Sequence, residues 1–145
     1  MPFRFPLVSV LRVRESIEKR EEVALQRVQL EVARVRRRID ELTAEIAASC
    51  QAREKALQQR MQANHLRTMQ MEINAAVEAK QILSNTLLTL LHQRDAQMKL
   101  YRTAHSGRQM LTDLLAQKKS AYEHEQMRVQ QNRLDDIVAT RWQRN

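Results

Sequence analysis

The side chains that could bind a metal or pass a proton are scattered along this chain. His65, His92, His105 and His124 lie far apart, with no i, i+4 pair among them, and Cys50 is the sole cysteine, so zinc-type spacing is absent. Asp135 and Asp136 are adjacent and therefore diverge on a helix, which makes them a poor acid/base pair. Gly107 is the only glycine. A phosphate-cradling loop needs several, so a P-loop and a dinucleotide fingerprint are both excluded. The densest charge feature is Arg34, Arg36, Arg37 and Arg38, in a chain of net charge +8. It reads either as a solvated helix flank paired with nearby acids such as Asp40 and Glu41, or as a contact for an acidic partner. These residues point to contact rather than catalysis, and no cofactor is expected. The large apolar side chains Phe3, Phe5, Leu7, Val10 and Leu11 crowd one terminus, and the only tryptophan, Trp142, lies near the other. Apolar groups concentrated at an end mark an interaction surface or a staple folded back on the chain.

The elements that must position them are helices. Proline occurs only at positions 2 and 6 of the 145 residues. A sequence with almost no glycine or proline lacks the punctuation that strands and turns need. The expected fold is all-α: a long antiparallel two-helix coiled-coil hairpin with a less regular middle segment. Its first arm covers about 6–60, the tip about 61–80 and the second arm about 81–142, all in one domain. The first seam is Leu25, Val28, Val32, Val35, Ile39, Leu42 and Ile46, in alternating steps of three and four. An upstream stripe, Val10, Val13, Ile17 and Ala24, joins it only through an extra four-residue step, a stutter. The second seam holds Leu87, Leu90, Tyr101, Ala104, Leu111, Leu115, Tyr122 and Val129. The same frame draws Arg94, Gln97, Arg108, Lys118 and Glu125 inward, which predicts a weaker seam. Arms of similar length place the reversal between Ala52 and Met69, and the weak helix formers Asn64 and His65 near its middle favour 62–66. The apolar run 82–91 is too short to span a bilayer, no secretory signal is apparent, and a lone thiol suits a reducing compartment, so a cytoplasmic protein is expected.

The opening Phe3-Arg4-Phe5-Pro6-Leu7, then Val10-Leu11-Arg12-Val13-Arg14-Glu15, resembles the flagellar export protein FliJ family. Near the end, Glu125-Gln126, Leu134-Asp135-Asp136 and Arg141 resemble that family's closing segments, with Asp136 where glutamate is usual. The resemblance implies a non-enzymatic stalk of the flagellar type III export apparatus, similar to the stalk of rotary ATPases. The end carrying both termini would enter the pore of the hexameric export ATPase. The pore contacts it implies are Phe3, Phe5, Leu7, Leu11 and Arg14 on the first arm, and Gln126, Arg133, Asp135, Asp136 and Arg141 on the second. It also implies that Met69, Ile73, Ala76 and Lys80, which share one helical face, meet the cytoplasmic domain of the membrane export gate. Export chaperones are further implied partners. Neither nucleic acid nor direct membrane insertion is expected, and the chain alone would be a monomer.

Two other classes compete with the flagellar reading, whose closest variant is the equivalent stalk of a virulence-type secretion system. A homodimeric coiled-coil scaffold would show a concentration-dependent melt. A nucleic-acid binder led by the arginine cluster would show tight binding with a steep inverse dependence on salt.

Overall fold

The structure, a computed structural model, describes residues 2–143. Two helices account for nearly all of them: α1, Val8–Gln58, and α2, Ala63–Trp142, with no strand among the described residues. The helices pack against each other as an all-α helical hairpin. Their contacts group into two units, one made of Met1–Arg20 with Arg102–Asn145, the other of Glu21–Tyr101.

In the Glu21–Tyr101 unit the predicted seam forms the core. Leu25, Val32, Val35 and Leu42 are buried, and Val28, Ile39 and Ile46 are half-buried. From α2, Ile73 is 5% exposed and Leu87, Leu90 and Tyr101 are half-buried. Arg53 donates to Gln70, and Gln97 Nε2 donates to the backbone carbonyl of Glu21 at 3.2 Å. In the other unit Phe5 and Ala104 are buried, while Leu7, Leu11, Ile17, Leu111, Leu115 and Tyr122 are half-buried. No described side chain is completely buried. Two helices surround nothing, so each seam residue keeps an edge to solvent.

The reversal comes earlier than the residue types suggest, at 59–62. Arg60 takes φ 52°, the left-handed conformation, and the Met61 amide donates to the Ala56 carbonyl at 3.3 Å. That is the bond pattern of a Schellman cap, in which the left-handed residue is usually glycine. Gln62 then starts α2, its carbonyl accepting from the His65 and Leu66 amides. The arms are unequal, 51 and 80 residues. The middle segment expected at 61–80 is no irregular tip: α2 runs through it as regular helix from Ala63.

The stutter is also absent from the packing. Val10 and Val13 are exposed, whereas Leu7, Leu11, Glu18 and Glu21 are half-buried. Counting back from Leu25 in steps of four and three gives Glu21, Glu18, Arg14, Leu11 and Leu7, an unbroken heptad frame. The seam keeps its phase by accepting charged residues. Following the valines alone leads off the buried face.

Candidate functional site

The Met1–Arg20 and Arg102–Asn145 unit holds the ends of both helices, and three local features define it. The first is a strap. Residues 2–7 precede α1, and the Val8 amide donates to the Phe5 carbonyl at 3.3 Å. Phe5 is 7% exposed, and the Phe3 ring meets the Tyr122 ring of α2 at 5.5 Å between centroids, tilted by 46°. Such tilted aromatic pairs contribute beyond their buried area. Arg4 and Lys118 bring two cations to the open hollow between strap and α2.

The second feature is a polar lock. Arg108 holds the Glu18 carboxylate through Nε at 2.5 Å and through Nη2 at 3.4 Å. His105 Nδ1 lies 3.6 Å from the same carboxylate. The Arg108 hydrogen bond, opposed by partial desolvation, holds the Glu18 carboxyl below its ordinary value of 4.5. One turn earlier on α1, the Arg14 guanidinium lies over Gly107, with Nη1 3.4 Å from where a β-carbon would stand. A β-carbon at Gly107 would stand in ordinary van der Waals contact with this arginine. From Glu18 with Arg108 to Phe3 with Tyr122 the numbering falls on α1 and rises on α2, as an antiparallel packing requires.

The third feature is the free end of α2. Every residue from 130 to 143 is exposed. At 3.6 residues per turn, Met127, Leu134, Ile137, Val138 and Trp142 share one side of the helix, and Trp142 is 82% exposed. Asp136 lies on the opposite side. Gln131 Nε2 donates to Asp135 at 3.1 Å, and Arg128 pairs with Glu125 at 2.9 Å.

Of the residues implied as pore contacts, Arg133, Asp135, Asp136 and Arg141 lie on this free end, and Gln126 is exposed just before it, ahead of the half-buried Val129. Phe3, Leu7 and Leu11 are half-buried, Phe5 is buried, and Arg14 crosses Gly107. The strap aromatics thus face their own α2. Met69, Ala76 and Lys80 are half-buried and Ile73 is core, so this line runs along the packed side of α2 in the Glu21–Tyr101 unit. The apolar stripe that begins at Met127 escaped the sequence reading because the second seam was extended through Tyr122 and Val129. Its own i, i+7, i+11, i+15 spacing, Met127, Leu134, Val138 and Trp142, was the available signal.

The family model described as "Flagellar FliJ protein" matches residues 3–145. The chain belongs to the flagellar FliJ family. No curated protein matches it, and no solved structure does. Membership makes it a component of flagellum biogenesis and protein export. The family profile covers the strap, the lock and the free end of α2 together. No described helix is long and apolar enough to cross a membrane.

Proposed function

We propose that this chain is a non-enzymatic stalk that inserts the free end of α2 into the pore of the hexameric export ATPase and promotes its activity. The observation that carries the reading is the unpartnered stretch of α2. It presents Met127, Leu134, Ile137, Val138 and Trp142 on one side and Gln126, Arg133, Asp135, Asp136 and Arg141 around them, all open to a partner. The strap, with Phe3, Phe5, Leu7 and Leu11, and the crossing Arg14 give that end its fixed shape.

The mechanism is mechanical. A single α-helical end has no sixfold symmetry, so it makes unequal contacts with six identical subunits. Contact that favours one nucleotide state biases the subunit it touches, which requires differential affinity for the two states. Hydrolysis then shifts the preferred contact onward. The line Met69, Ile73, Ala76 and Lys80 serves the membrane export gate, with Ile73 acting from beneath by fixing the helix and its flanks forming the contact. Export chaperones are further partners, and the chain works on the cytoplasmic side of the inner membrane.

A coupled ATPase assay with the purified export ATPase tests this. The full chain should raise turnover, and Leu134→Asp with Val138→Asp should abolish the rise while circular dichroism stays unchanged, because both side chains are exposed. Full stimulation by the double variant would remove the free end of α2 from the mechanism.

A further inference from the structure

The hollow between the strap and α2 is independent of the stalk reading, and it lies wholly within the Met1–Arg20 and Arg102–Asn145 unit. Its open volume is about 850 Å³, within the ~300–1,000 Å³ usual for small-molecule sites. Ring-bearing side chains make most of its walls: Phe3, Phe5 and Tyr122, with Pro2 and Pro6. The chain has two phenylalanines and two tyrosines, and all but Tyr101 meet here. Arg4 and Lys118 supply the charge, and no carboxylate lines the hollow. Both cations are exposed, and neither has a carboxylate at ion-pair distance among the described residues. Lys118 and Tyr122 are four apart on α2, so they share one face at a rise of about one turn, ~5.4 Å. The Phe3 and Arg4 amides donate to no partner among the described residues.

We propose that this hollow binds a nucleotide, its base against the aromatic wall and its phosphates on Arg4 and Lys118. An aromatic face takes a base by stacking, and a neighbouring cation strengthens the contact. A guanidinium holds a phosphate through two parallel hydrogen bonds, and an ammonium adds a point charge. One helical turn is roughly the reach of a ribose between a base and its first phosphate. The two uncommitted strap amides are further donors to the anion. Phosphate alone would leave the rings unused, and an uncharged ring would leave the cations unused. An acidic peptide fits less well, because each of its carboxylates brings one negative charge where a diphosphate brings several to one spot. With no glycine-rich cradle around the phosphates, the affinity is modest, about 0.1–1 mM.

The test is calorimetric titration of the full-length chain with ADP at 0.15 M salt. ADP should bind with a Kd of about 1 mM or below, and adenosine and pyrophosphate each at least about fivefold more weakly. Arg4→Gln with Lys118→Gln should weaken ADP binding at least about tenfold. Arg12→Gln with Lys119→Gln, the same change in net charge in the same unit, should weaken it less than about threefold. Tyr122→Leu should cost at least about threefold on ADP and nothing on pyrophosphate at low salt, where charge alone binds strongly enough to measure. That difference separates lost stacking from a strap loosened by the loss of the Phe3 contact. Equal losses in the two double variants would reduce the effect to net charge and overturn the proposal. So would pyrophosphate or polyglutamate bound as tightly as ADP, an unchanged Tyr122→Leu, or no heat from ADP at a few times the expected Kd. Circular dichroism confirms that each variant stays helical.

Discussion

Replacing Glu18 by Gln tests whether the polar lock holds the unit that carries the free end of α2. An exposed ion pair contributes about 0.2–1 kcal/mol, and breaking a fully buried one costs about 3–5 kcal/mol. The Glu18 and Arg108 side chains are 17% and 22% exposed and meet through two nitrogens, which places them between those limits. Gln keeps an acceptor for one of those nitrogens, so the expected loss is about 1–2 kcal/mol, or roughly 3–8 °C in Tm. The pH dependence separates charge from packing. The folded-state carboxyl titrates below its unfolded value of 4.5 because Arg108 bonds the ionised form. The stabilisation is therefore present above that value and disappears as pH falls through the lower, folded one. Urea melts followed by circular dichroism should show a constant gap between wild type and Glu18→Gln at neutral pH, closing in strong acid. A gap of the same size at pH 7 and pH 2–3 would mean that shape, not charge, carries the lock. A double-mutant cycle with Arg108→Gln should then return no coupling.

Arg60→Gly should stabilise the chain by about 0.5–1 kcal/mol in the same melts. It relieves a left-handed residue worth ~1–2 kcal/mol at an unfolded-state entropy cost of ~0.4–1 kcal/mol, and any loss of stability would contradict the cap geometry. Arg94 occupies a seam position with its Nε buried and without a hydrogen-bond partner. Arg94→Leu should gain about 1–2 kcal/mol, and a destabilised variant would show that the arginine is satisfied in solution. Light scattering should give a monomer of 17.1 kDa. A mass that rises with concentration, and falls back with Leu134→Asp, would assign the stripe on α2 to a second copy of the chain.

The helical class was legible because it rests on what the chain lacks, and two prolines and one glycine leave little room for any other class. The apolar half of the seam was legible too, since Leu25, Val32, Val35 and Leu42 repeat with the heptad and are buried. The turn was not. Its left-handed position is filled by Arg60 instead of Gly or Asn, so nothing in the residue type announces it. The shift is small, from 62–66 to 59–62, and the stripe on the free end of α2 was hidden instead by the second seam, extended through Tyr122 and Val129. At the site, Phe3 and Phe5 were legible as apolar anchors but not as to what they grip. A hydrophobic residue before a helix staples to its own fold or to a partner by the same physics.

The polar seam follows a different logic. An apolar seam tolerates sliding by a heptad, because one Leu or Val serves nearly as well as the next. Glu18 with Arg108 and Gln97 with Glu21 have no equivalent one heptad away. Moving either helix by one repeat would leave a half-buried charge unpaired, at a cost of several kcal/mol. Polar residues at seam positions therefore trade affinity between the helices for a single alignment, as a lone polar position does in a coiled coil. On the proposed stalk reading the working surface is the stretch of one helix that outruns the other, and that reading needs the alignment fixed. The length of free helix is set by the register, and a slip of one heptad would change it by about 10 Å.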